Sequence, residues 1–535
     1  MNSMIYHPLE EYEKKFRELH QNNTTQYFES LVQQSGVDVE KNRRTVREYH
    51  DMKENLSKIK RKLFWWCFLR VVMCITVVLI PLVIWKVTPK IKMIRGEIDR
   101  LDQRIEELLQ LAYTQMAPLN GLFGDRDALN LIEKTIPSLS FAPAFTAEQE
   151  GNMILNYDFS ERAGEAQSTV DVLSGTYNKN PFLFEQKLVH TMGVETYHGY
   201  RTISWTETYR GSDGKTHTRT RTQTLHASLT KPKPYFETQV SLSYCAQGGP
   251  DLSFSRDATY LNEKSDREIE RYVKRGEKRL DKKTDEAIKK NEDFMSMSNT
   301  DFEVLFDALD RTHEVQFRTL FTPLAQTNMV DLILSDNGFG DDFNFIKTKR
   351  TNKIISKHSQ GRGVNLLRGA YPSYSFDIIK ENFILKNTAF FKMVYFDFAP
   401  LWAIPLYQEE PVHSLHPIPD YERKYSIREY EALSNSMSRG HVVHPNTQTE
   451  AILTTSYVRT HGDADEISVS AFSYDIIPRV DFVRVLGGDG HWHSVSVHWN
   501  EYIPLEATNH FFVSKIESAD NQAALGVRND LCIYT

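Results

Sequence analysis

The run Leu63–Trp85, LFWWCFLRVVMCITVVLIPLVIW, constrains this chain more than any other stretch. It is twenty-three residues long, and only Arg70 and Thr76 interrupt its apolar character. As one helix at about 1.5 Å per residue it would extend roughly 35 Å, enough to cross a hydrocarbon core at a tilt. Trp65, Trp66 and Trp85 stand where amphipathic rings mark headgroup layers. Lys58, Lys60, Arg61 and Lys62 crowd one flank, and Lys86, Lys90, Lys92 and Arg95 the other. A secretory leader is the poorer account, since a long polar stretch precedes the run and no small-residue cleavage site follows it. The expectation is a single transmembrane helix over 63–87, with the lipid bilayer as a partner. Eight cations in 43–62 against six in 86–104 orient it with the N-terminus inside and the C-terminal body outside, as a single-pass protein of the cell membrane.

Outside that run the composition is that of a folded body, 40% hydrophobic and 25% charged. The formal net charge of −7 disfavours nucleic acid as a bulk partner. Of the four cysteines, Cys67 and Cys74 lie in the apolar run, so Cys245 and Cys532 form at most one bridge. That is no disulfide framework, and the redox compartment stays open.

Residues 1–62 read as polar helices, with Leu9, Tyr12, Phe16 and Leu19, then Phe28, Leu31 and Val32, at helical spacing. Ser35-Gly36 breaks them, and a second helix carries Val46, Tyr49, Leu56 and Ile59 toward the run. Over 88–117, Ile91, Ile94, Ile98, Leu101, Ile105 and Leu108 form a heptad seam. That stalk either self-associates, giving a homo-oligomer through 91–108, or packs on the chain's own second helix.

Residues 118–262 turn β-rich, with strands at Ser168–Leu173 and Pro234–Cys245. Between these lies a hairpin of Arg201–Arg210 and Lys215–Leu229 around Gly211–Gly214. Period-two parity puts Ile203, Trp205 and Tyr209 on one face with Thr216, Thr220 and Thr222. Ser204, Thr206 and Thr208 then share the other with His217, Arg219 and Arg221. Residues 263–298 hold a charged connecting helix, Ser265 to Asn291.

An α+β domain with C-terminal antiparallel strands follows at 299–535. It opens with a helix at Asp301–Leu309, a strand at His313–Phe321, a helix from Pro323 and a strand through Phe343 and Phe345. Ser426 with Glu429 forms a capping box. A second hairpin joins Val480–Leu486 to His491–Trp499 around Gly487–Gly490. The fold class is therefore α+β: N-terminal helices, a single transmembrane helix with a short coiled-coil stalk, and a large β-rich α+β body.

The order Phe302-Glu303-x-x-Phe306, then Arg318-x-Leu320-x-Thr322-Pro323, then helix and strand, resembles a family of bacterial membrane-anchored proteins of unknown function. Residues 301–345 alone carry the resemblance. It implies a bacterial membrane-anchored protein and transfers no site residues.

For chemistry, His491 and His493 lie two apart on a strand and make a candidate metal pair, with His441 and His444 as further ligands. Set against that, histidines beside a Gly-Gly-Asp-Gly turn are ordinary exposed hairpin residues. His217, Arg219 and Arg221 form a candidate anion-binding patch, which a soluble protruding hairpin also explains. Asp213-Gly214-Lys215-Thr216 ends like a phosphate-binding loop, but a strand follows it where that loop needs a helix, so it is a turn. No nucleophile elbow occurs, and no cofactor is expected. The function these features suggest is a membrane-anchored body that binds another macromolecule, its protein partner unspecified and nucleic acid disfavoured. The alternatives are a metal-dependent enzyme using histidines 441, 444, 491 and 493, and a membrane-held nucleic-acid or phosphate binder.

Overall fold

The computed structural model describes residues 4–75, 83–160, 166–210, 212, 214–412, 416–516, 524–528 and 531–535. The chain gathers into two units. One, mainly helical, holds Leu9–Pro137 and Asn365–Phe396, and the other holds Met1–Pro8, Ser138–Val364 and Asp397–Thr535. Each unit collects segments distant in sequence.

In the helical unit, Gly36 takes a φ of 62° and stops helix α1 (Arg17–Ser35) at the Ser35-Gly36 break. Helix α2 (Val39–Ile75) enters the apolar run, and α3 (Thr88–Asn120) carries the heptad positions. These two helices pack antiparallel. Glu48 pairs with Arg104 at 3.5 Å and Lys60 with Asp102 at 3.4 Å. Leu56 and Ile59 cluster with Ile98, backed by Leu63, Ile94, Leu101 and Ile105. The seam thus packs on the chain's own second helix.

The same pairing overturns the membrane span. Leu63, Trp66, Cys67 and Met73 pack on Val83, Val87 and Ile91. The two ends of the apolar run therefore lie against each other, and the run is not one straight helix. Among the described residues no helix is long and apolar enough to cross a membrane. The single-pass anchor, its inside-to-outside orientation and the cell-membrane localisation are withdrawn with it. Residues 76–82, the middle of the run, lie outside the described residues. Helix α4 (Asp127–Thr135) completes the unit, whose core joins Phe28 and Leu31 to Met116, Leu119, Tyr371, Ile379 and Phe383.

The second unit is mixed α+β, with two antiparallel sheets among the described residues. The first orders β1 (Leu139–Phe141), β2 (Gln167–Tyr177), β3 (Asn180–Arg210), β4 (Thr216–Cys245), β7 (Thr351–Ser356), β6 (Phe343–Thr348) and β5 (Ser253–Arg256). The second orders β11 (Gly526–Arg528), β12 (Leu531–Tyr534), β10 (Trp492–Lys515), β9 (Ala464–Leu486) and β8 (Ile452–His461). Helices α5 (Ala147–Tyr157), α6 (Asp266–Lys290), α7 (Thr300–Phe306), α8 (Glu314–Leu320), α9 (Pro323–Ile333) and α10 (Ile427–Asn435) flank them.

Two local expectations change. Within His313–Phe321, Glu314–Leu320 form helix α8 rather than a strand. Phe317 and Phe321, four apart, both turn into the core, and buried Arg311 pairs with Glu303 at 2.8 Å and with Glu314 at 2.7 Å. The capping box at Ser426 is half formed. Its hydroxyl accepts the Glu429 N–H at 3.0 Å, while the Glu429 carboxylate accepts the Phe145 N–H at 2.9 Å and pairs with Arg528. Cys245 and Cys532 are buried free thiols in different sheets.

Candidate functional site

Two long ribbons leave the sheets. β3 parts from β2 after Val189, and β4 meets β7 only from Leu242, so residues 190–210 and 216–241 pair with each other alone. At about 3.3 Å per residue the free part of β3 extends roughly 70 Å. Beyond Phe472, β9 likewise pairs only with β10. Isolated two-stranded ribbons are marginal in water, and here the two stabilise each other.

Ile203, Leu225 and Ala227 bury against Val495 and Val497, with Trp205, Val483 and Val485 closing the layer. The backbones approach closely at Gly199, where a Cβ would overlap the Ser496 carbonyl. Arg201 Nη1 donates to the Ser494 carbonyl at 2.8 Å, and the Gly488 N–H to Gln223 Oε1 at 2.7 Å. Lys231 pairs with Asp481 at 3.0 Å and lies 4.1 Å over the Trp499 ring. The hydrogen bond from Lys231 holds the Asp481 carboxyl below its usual range.

The register of the first ribbon corrects the expected faces. Arg210 pairs with Thr216, Thr208 with Thr218, Thr206 with Thr220 and Ser204 with Thr222. The connection holds an odd number of residues, which shifts the parity by one; its Gly211 and Asp213 lie outside the described residues. Hydroxyls therefore line the outer face. His217, Arg219 and Arg221 share the inner face with Tyr209, Glu207 and Trp205. The anion-binding candidates do come together, but around an acid: Glu207 sits 2.6 Å from Arg221 Nε and 3.7 Å from Arg219 Nη2. The Tyr209 and His217 rings stack at 5.7 Å.

The four candidate histidines fall in two places, His491 and His493 at the Gly487–Gly490 turn and His441 and His444 elsewhere. His493 Nε2 lies 2.9 Å from Asp489 Oδ2, and the His491 N–H donates to Asp489 Oδ1 at 3.0 Å. The His493 contact holds the Asp489 carboxyl low. His441 and His444 belong near Asn509, whose side-chain amide donates to the Val442 carbonyl at 3.4 Å. Asn509 stands sixteen residues along β10 from His493, about 50 Å of strand. Among the described residues no three His, Cys, Asp or Glu are grouped to hold a metal ion.

The sequence reading missed the outer face of the second ribbon. There Val480, Phe482, Arg484 and Leu486 stand beside Trp492, which pairs with Leu486. Phe482 is 71% exposed and Trp492 65%. Because Val483 and Val485 face inward, this strand is apolar on both sides and reads as an ordinary buried one. No family model, curated protein or solved structure matches the chain.

Proposed function

We propose that this chain is an interaction protein whose two-ribbon arm docks another protein on the outer face of β9 and β10. The observation that carries this reading is the exposed stripe of Val480, Phe482, Leu486 and Trp492 on a braced ribbon. Exposed apolar patches with aromatic and arginine side chains are the usual anchors of protein interfaces.

Charge on the arm favours a protein over a polyanion. Arg219 and Arg221 are paired with Glu207, Lys231 with Asp481, Lys233 with Glu195 at 2.8 Å and Arg479 with Glu501 at 2.8 Å. Arg484, in the stripe, makes no ion pair among the described residues. The partner this surface fits has an apolar groove with an acidic group placed to meet Arg484.

A photo-crosslinking residue at position 482 or 492 tests the reading in cells, with positions 206 and 220 on the hydroxyl face as controls. A discrete adduct from the first pair only is expected, and Arg484→Glu should weaken it at least about tenfold. Equal adducts from the control positions, or none from 482 and 492, would overturn the proposal.

A further inference from the structure

A cavity of about 460 Å³ opens where α5, α10, β2, β3 and β8 converge. Its size falls in the range of small-molecule sites. Its polar floor is buried and held in place. Glu150 pairs with Arg428 and with Arg423, both at 2.7–2.8 Å. Glu185 takes Arg428 at 3.3 Å, Lys187 at 3.1 Å and the Thr169 hydroxyl at 3.1 Å. Glu431 accepts the backbone N–H of Thr169 at 2.9 Å and of Thr455 at 3.3 Å.

Three features of the site point to a ligand. First, the register shifts at Thr169/Asp171 and Tyr457/Arg459 fall on strands lining this cavity, and bulges often re-aim side chains beside binding sites. Second, the walls are Tyr421, Tyr457, Pro419 and aliphatic side chains, with the Arg423 guanidinium over one face of the Tyr421 ring at 5.2 Å and the rest apolar surface on which a ring can lie. Third, Arg423 lines the cavity with its guanidinium fixed by Nη2 on Glu150 at 2.8 Å, so it is held in place to donate. Glu150 and Glu185 are paired with Arg423, Arg428 and Lys187, and Glu431 holds two backbone N–H groups, so the acids and bases of the floor already satisfy one another. The site presents fixed acceptors and donors to an uncharged molecule rich in hydroxyls.

We propose that this cavity binds a neutral saccharide ring, its hydroxyls donating to the Glu431 and Glu150 carboxylates, accepting from Arg423, and its apolar face against Tyr421. Saturation-transfer NMR on the full chain with D-glucose, N-acetyl-D-glucosamine and maltose tests it, with spermidine and citrate as cationic and anionic probes. At least one sugar should receive saturation while spermidine and citrate do not. Tyr421→Ala and the cavity-filling Leu155→Trp, both at partly exposed positions, should reduce the signal at least about tenfold, with circular dichroism verifying the fold. Absence of transfer to all three sugars, transfer unchanged in both variants, or binding of spermidine or citrate in their place would overturn the proposal.

Discussion

Lys347 shows at residue scale how burial and pairing decide a charge. It lies on β6, fully buried, and its Nζ donates to the Gly248 carbonyl at 2.9 Å and the Lys349 carbonyl at 2.6 Å. Burial pushes its pKa down to about 7, and the nearby Arg350 charge adds to the effect. In the unfolded chain the same amine titrates near 10.4. Between these values the unfolded state binds the extra proton, so stability rises with pH; below about 7 both states are charged and the cost of burying the ammonium is fully present. Unfolding free energies from urea titrations at pH 7 to 8.5 should therefore climb more steeply in the parent than in Lys347→Met, by up to about 1.4 kcal/mol per pH unit. Parallel slopes would show that Lys347 stays charged when folded.

At the scale of elements, the arm depends on contact between its two ribbons. Gly199 lets the β3 backbone meet the β10 carbonyl at Ser496, and Gly487 has Ile203 and His493 close by. Gly199→Val should push the ribbons apart, costing about 1–3 kcal/mol and moving the emission of Trp205 and Trp499 to longer wavelength. An unchanged spectrum would mean the two ribbons separate without the substitution. The length of these strands was hard to see in the sequence. The stretches expected as Lys215–Leu229 and Pro234–Cys245 are one strand, β4, which runs through Pro232 and Pro234 on a ribbon with a free edge, where proline is tolerated. Helix α6, by contrast, was fully legible. Ser265 and Glu268 cap its start, and Asn291, at a φ of 53°, ends it.

For the molecule as a whole, the decisive event is the antiparallel pairing of α2 with α3. A continuous rod through the apolar run would hold residues 60 and 102 roughly 60 Å apart, at about 1.5 Å per residue. The folded chain brings the Lys60 and Asp102 side chains to 3.4 Å. Lys60→Cys with Asp102→Cys, in a chain whose native cysteines are replaced by serine, should oxidise to a bridge within one chain at micromolar concentration. Bridges formed only between chains would restore the extended rod.

The sequence by itself determined the local facts. Tyr12, Phe16, Phe28, Val46, Tyr49, Leu56 and Ile59, chosen by helical period, are all buried. The α+β class, the Ser35-Gly36 break and the Gly487–Gly490 hairpin followed from period and turn chemistry alone. Only the tertiary structure decided what covers each apolar face. The run at 63–85 has the length and composition of a span, but composition cannot say whether a Leu meets lipid or a returning helix. Parity has the same limit: one residue in a loop moved Arg219 and Arg221 to the opposite face of the ribbon. The cavity draws Glu150 and Glu185 from one stretch and Arg428 and Thr455 from another more than two hundred residues away, and no local signal marks their convergence.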